Sequence, residues 1–232
     1  MTNFYRRLMY YGLGFGIGLV GVFFFFNNRG CSWLPSNRVK EMISERIIYV
    51  SDTNLSVLKN LNIAESEIAQ YVLNAEIHFS KSEKSSNPQI YHIEGSTINK
   101  DVFVAQIVLY RDGLTSELIP NQFSAQNVKP TTKGYGKPVC FPVKKNLFYS
   151  DSSAHTNCQR KALGIMEDST LSAYFRKNGR INISKSLFKN KPNAEYAMVI
   201  KNEIGQEIEM FATYFKEKAR IFKFAFDGDP CP

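Results

Sequence analysis

The sequence predicts an α+β chain: an N-terminal transmembrane helix followed by two small domains, each opening with two short helices and continuing in strands. Three observations predict it. Leu8 to Phe26 is an unbroken run without charge or proline, two helix-start patterns precede a series of strand-like runs, and letters of the first half return in the second. An apolar content of 44% with 13% aromatic residues supplies enough apolar surface to offset chain entropy, which excludes a disordered chain.

The run LMYYGLGFGIGLVGVFFFF holds 19 residues, and at 1.5 Å per residue it extends about 28 Å, close to the hydrocarbon thickness of a bilayer. Arg6 and Arg7 precede it, and Tyr10, Tyr11 and Trp33 lie near its ends, where amphipathic rings favour the headgroup zone. A cleaved signal peptide is the competing reading. The run is longer than a usual signal core, and no small-x-small site follows Phe26, so an uncleaved anchor over residues 1–33 is expected. Gly14, Gly18 and Gly21 fall on one helical face, where missing side chains would let a second helix approach and form a homodimer. The Gly-x-Gly-x-x-Gly at Gly16, Gly18 and Gly21 is no nucleotide loop, because such a loop must join a strand to a helix in water.

The first domain is placed at residues 34–119. Ser51 or Asp52 is expected to cap a helix reaching Asn60, and Asn62 with Glu65 to form a capping box for a second helix ending near Asn74. Ile68, Val72 and Ala75 line one face of that helix. Strands are expected at 77–80, 90–94, 102–110 and 115–119, the last two joined by the turn Arg111-Asp112-Gly113. Residues 120–146 carry Pro120, Pro130, Pro138 and Pro142 with Gly134 and Gly136, and read as a linker.

The second domain, 147–232, repeats the first. IHFSKSEKSSNP from Ile77 parallels INISKSLFKNKP from Ile181, YVSDT from Tyr49 parallels FYSDS from Phe148, and Tyr71 falls opposite Phe175. Gly179 is expected to end a helix in the left-handed conformation. Further strands are expected at 197–201, 207–215 and 219–226.

The formal charge of +8 lies wholly in the second half: residues 1–128 hold 11 basic against 11 acidic residues, and 129–232 hold 18 against 10. Such a surface keeps a protein soluble and also attracts anionic lipid headgroups over about 8 to 10 Å. Cys31, Cys140, Cys158 and Cys231 are widely spaced, with no Cys-x-x-Cys pair, so a zinc site is not expected. Two disulfides in any of three connectivities, or four thiols, both fit this count. The short N-terminal tail and the even cysteine count favour a body outside the cytoplasm.

RLMYYGLGFGIGL, then Cys31 with Pro35 and NRVK, then NIAESEIAQYVLNAEIHFSKS and YHIEG, give residues 4–119 their resemblance to a bacterial family. This is domain of unknown function number four thousand two hundred and fifty-eight, small membrane-anchored proteins found especially in Bacteroidetes. The resemblance implies an inner-membrane, single-pass protein whose domains, similar to RelE and barnase-like toxins, pack two helices on an antiparallel sheet. Family members usually hold one such unit, so a second copy at 148–226 is a departure. Soluble relatives carry a His-Ala-x-x-Arg-Met helix. In the first copy those His and Arg positions fall on Thr53 and Val57, and in the second on His155 and Gln159, with Arg160 and Lys161 beside them.

His155 and Arg160 are thus the candidate catalytic residues for a membrane-tethered, metal-independent ribonuclease or toxin, which needs groups to move protons and hold phosphate charge. The preferred expectation is a non-enzymatic binding or scaffold module at the cell envelope, with the lipid bilayer and an envelope protein as partners. Neither a cofactor nor a nucleic-acid partner is expected. Ser56-Val57-Leu58-Lys59 reads as helix surface, and the spacing of His155 and Cys158 lacks the second pair that would make it a metal site. The triplets Ser80-Lys81-Ser82 and Ser184-Lys185-Ser186 read as polar strand ends that could also hold an anion.

Overall fold

An unpaired strand edge exposes a row of backbone N–H and C=O groups, and one short strand here closes two such edges. The computed structural model describes residues 2–29, 34–96, 102–120, 128–143, 146–190, 192–215 and 218–231. It divides into two compact units, 1–41 and 42–232.

The first unit is built on helix α1 (Thr2–Arg29), within which Phe4 to Phe24 is long and apolar enough to cross a membrane, with a mean hydropathy of 1.4. Its apolar side chains from Phe4 to Phe24 stand exposed: Phe15 is 72% accessible and Phe23 69%. Helix α2 (Pro35–Ser44) spans the junction.

In the second unit the first half runs β1 (Ile47–Ser51), α3 (Asp52–Asn60), α4 (Glu65–Asn74), β2 (Glu76–Ile77), β3 (Gln89–Ser96), β4 (Val102–Leu109) and β5 (Thr115–Pro120). After β6 (Tyr135–Cys140), the second half runs β7 (Phe148–Ser150), α5 (Ala154–Ala162), α6 (Asp168–Asn178), β8 (Arg180–Asn182), β9 (Glu195–Lys201), β10 (Glu207–Phe215) and β11 (Lys218–Ala225). The sheet order is β2-β3-β4-β5-β1-β6-β8-β9-β10-β11-β7, so each half has the same internal order and β6 joins them. Both first strands pair in parallel, β1 with β5 and β7 with β11, and the other pairs are antiparallel.

Three expectations change here. Residues 42–232 form one compact unit with a continuous mixed sheet, in place of two separate domains with antiparallel sheets. The proline-rich stretch 120–146 is not only a linker, because it supplies β6. Gly136 pairs with Ser51 and Pro138 with Tyr49, and a register shift between Ile48 and Tyr49 accommodates the proline. Gly179 has φ −66°, which is not left-handed; a β-carbon there would lie 2.4 Å from the Phe175 ring, so glycine serves close approach.

The expected capping box also gives way. Asn62 takes φ 53°, and its N–H and that of Ile63 bond Lys59 and Leu58 carbonyls at 3.0 and 3.1 Å, so Asn62 closes α3 while Ala64 caps α4. Asparagine tolerates that left-handed geometry better than most residues.

β6 is antiparallel to both β1 and β8, so each strand of the second half runs opposite to its counterpart while the lateral order is kept. The same crossover then puts the helix pairs on opposite faces. Tyr49, Ser51, Gly136 and Ile181 share one face, that of Phe175 and Leu171, whereas Lys137 on the other reaches Glu65 of α4 at 2.8 Å. The first half's helix-free face is covered by residues 128–132 and by the turn bearing Phe188. Because that crossing segment is no strand, its amides need side-chain acceptors: Val128 N–H donates to Gln106 Oε1 at 2.9 Å and Thr131 N–H to Glu117 Oε2 at 3.0 Å.

Aromatic rings lock the halves together. Phe188 lies 5.0 Å from Tyr110, 5.7 Å from Tyr196 and 6.3 Å from Tyr49, centroid to centroid. The buried Tyr196 hydroxyl accepts the Leu114 N–H at 2.8 Å across the two halves. Cys158 and Cys231 form a disulfide that ties the C-terminal segment to α5, Cys140 is a free thiol, and Cys31 lies outside the described residues.

Tyr196→Phe leaves a buried N–H without its acceptor, and is expected to lower stability by about 1 to 3 kcal/mol in denaturant unfolding of the detergent-solubilised chain. Cys158→Ser, which opens the bridge, is expected to cost about 2 to 4 kcal/mol and to abolish the mobility difference between oxidised and reduced samples on gels.

Candidate functional site

β6 and β8 pair only at Tyr135 and Gly136, and beyond that point they part. A groove of about 390 Å³ opens at the fork. Cations enter it from four elements: Lys59 from the last turn of α3, Lys137 from β6, Arg176 and Lys177 from the last turn of α6, and Arg180 from β8. Asp52 and Glu65 are the carboxylates among them.

Each group is positioned by its element. Lys137 Nζ pairs with Glu65 at 2.8 Å, and Arg180 pairs with Asp52 while its guanidinium lies 4.8 Å from the Tyr135 ring centre. Arg176 rests on the Phe141 ring at 4.9 Å and donates to the Pro142 carbonyl at 3.2 Å; burial lowers its proton affinity. Asn178 clamps the end of α6 to β9 through two 3.0 Å bonds with the Lys201 backbone. Lys59 and Lys177 are exposed and hold no partner among the described residues.

A second cleft, about 510 Å³, lies beside Tyr110, Thr131, Ser184, Ser186, Phe188 and Lys189. Behind Thr131 is the fully buried Glu117. Burial raises its carboxyl above the ordinary range, against the lowering effect of the Thr131 hydrogen bonds. Burial likewise raises the Tyr49 phenol, with a further contribution from the Glu117 charge, and pushes Tyr110 up to about 12. Tyr49 Oη and Glu117 Oε1 find no hydrogen-bond partner among the described residues.

The candidate catalytic residues are not brought to either cleft. Arg160 pairs with Asp168 at 3.3 Å and donates to the Ile165 carbonyl at 3.1 Å and to that of Met166, so it clips the turn between α5 and α6. His155 stands in the first turn of α5. Gln159 is buried and bonds Phe224 from both ends of its amide, at 2.8 and 3.0 Å.

The Ser-Lys-Ser triplets are turn-builders. In each half the last serine donates to the carbonyl four residues back, Ser82 to His78 and Ser186 to Asn182, both at 2.7 Å. Each also accepts a strand amide, from His92 at 3.1 Å and from Ala197 at 3.0 Å. Lys185 turns away to Glu209 at 2.7 Å. Gly14, Gly18 and Gly21 have open space where a β-carbon would lie. Lys59 of the Ser-x-x-Lys pattern does reach the groove, whereas the Ser56 hydroxyl donates to the Thr53 carbonyl at 2.6 Å. Among the described residues no group of three His, Cys, Asp or Glu side chains is placed to hold a metal.

No protein-family model, no curated protein and no solved structure matches the chain. The family resemblance of residues 4–119 receives no support from these comparisons. Sequence reasoning missed the groove, since its cations lie at 59, 137, 176, 177 and 180 with no shared spacing; the basic excess of the second half was its one trace.

Glu117→Gln tests the buried carboxyl. A group raised on folding stabilises fully below its ordinary value of 4.5, and that contribution is lost as pH rises through the folded value. Thermal midpoints compared across this window are expected to fall for the native chain relative to the glutamine variant, which keeps an acceptor for Thr131.

Proposed function

We propose that this chain is a single-pass membrane-anchored binding module of the cell envelope, held by α1, with residues 42–232 presenting the basic groove to a ligand and catalysing no reaction. Arg160 carries this reading. The side chain that would have to hold phosphate charge in a toxin-like site is bonded into the fold, on Asp168 and two backbone carbonyls, while the cations that share a concave space belong to another place.

The two halves are read as diverged copies of one helix-helix-sheet unit of the RelE/barnase-like type. Their common strand order and the equivalent bonds of Ser82 and Ser186 support it. The Cys158–Cys231 bridge supports a body on the periplasmic side of a bacterial inner membrane, since disulfides persist in oxidising compartments. The open glycine face of α1 supports pairing of two chains within the bilayer.

Fusions of alkaline phosphatase and of a cytoplasm-dependent fluorescent protein to the C-terminus read the side of the membrane, with phosphatase activity and no fluorescence expected. His155→Ala combined with Arg160→Ala is expected to lower the thermal midpoint, through loss of the Arg160 clip. It is also expected to leave RNA cleavage by the purified chain at the background of the unaltered protein. Cleavage that the unaltered chain performs and this double variant loses would establish the ribonuclease alternative instead.

A further inference from the structure

We propose that the groove at the β6–β8 fork binds the phosphate group of a phosphomonoester or pyrophosphate, carried either by a lipid headgroup or by a soluble compound. This rests on the binding-module reading and names the ligand chemistry of its groove.

Five cationic side chains share about 390 Å³ with two carboxylates. The pull of helix C-termini on cations accounts for Lys59, Arg176 and Lys177, which stand in last turns. It does not account for Lys137 and Arg180, which project from strands. Gathering this many like charges is unfavourable unless anions share the space; Asp52 and Glu65 pair with Arg180 and Lys137, while Lys59 and Lys177 hold no partner among the described residues. The remaining excess suits a ligand with two or more negative charges.

The groove is also poised to accept one. Both of its ion pairs are solvent-exposed, with side-chain accessibilities of 49% and 39% for Lys137–Glu65 and 44% and 50% for Arg180–Asp52. Such pairs contribute little, so phosphate oxygens can take over the cations at small cost. Arg180 lies over Tyr135, which orients its planar fork, and a guanidinium matches phosphate with two parallel hydrogen bonds. Among the described residues the one aromatic ring in the lining, Phe175, is fully buried. A base has no ring to stack on there, so the geometry favours an isolated phosphate group over a nucleic-acid strand.

The full chain in phosphatidylcholine nanodiscs is titrated with inorganic pyrophosphate by calorimetry, and again in nanodiscs containing phosphatidic acid. Saturable binding is expected, weakened about tenfold by Lys59→Gln with Lys177→Gln and unchanged by Lys161→Gln with Lys201→Gln. All four lysines are exposed, and circular dichroism checks that each variant is folded. Weaker pyrophosphate binding in the phosphatidic acid discs, abolished as a difference by the groove variant, assigns the site to a lipid headgroup; equal binding in both discs assigns it to a soluble phosphate. Absence of saturable binding, equal loss in both double variants, or an RNA oligonucleotide that binds the groove and is not displaced by pyrophosphate overturns the proposal. Carbonate extraction of membranes holding the same chain separates the two readings. A chain that washes off yet binds pyrophosphate sinks the tether alone, and a retained chain that binds none sinks the groove alone.

Discussion

The fold depends on β6 pairing on both sides. Without it, β1 would end the first half-sheet and β8 would begin the second, each with a free row of donors and acceptors. β6 takes up both rows within six residues and turns two small sheets into one of eleven strands. The outer edges that remain are short, two residues in β2 and three in β7, which limits pairing with other chains.

Joining the halves through one antiparallel strand has consequences for what lies above and below. The helix pairs fall on opposite faces, so each half keeps one side without helices of its own. In the first half that side is covered by residues 128–132 and the Phe188 turn. A crossing segment of this kind cannot satisfy its amides within a ladder, and Gln106 and Glu117 act as acceptors in its place. Gln106, buried in β4, and Glu117, buried in β5, are thereby explained as supports of a strap. The raised carboxyl of Glu117 follows from the burial the strap imposes. The groove has the same origin: β8 is too short to follow β6 past Gly136, and the space left over is flanked by the ends of α3 and α6.

Much of the local structure was legible in the letters. Helices at 52–60 and 65–74 and strands near 102–109, 115–120 and 207–215 stand where the patterns placed them, because a period of 3.6 or 2 and the turn residues between runs are short-range properties. The two halves share one strand order, and Tyr71 and Phe175, which fall opposite each other in the letters, are both buried, on α4 and α6. Asn62 and Gly179 were misread for one reason. A residue that permits an unusual backbone angle can also serve a different need, and which need applies depends on neighbours. Phe175 demands the missing β-carbon at Gly179, and the end of α3 claims Asn62 before α4 can use it.

The letters alone settled the membrane-length apolar helix, the helices at 52–60 and 65–74 with strands after them, and the charge imbalance, all of which follow from the identity of residues close together in the chain. Three-dimensional packing decided the rest. It alone determined that a proline-rich stretch becomes a central strand, that Arg160 is held by the fold, and that cations from residue 59 to residue 180 meet in one groove. Edge pairing and charge convergence depend on distances between remote segments, and no spacing along a chain encodes those distances until the sheet closes.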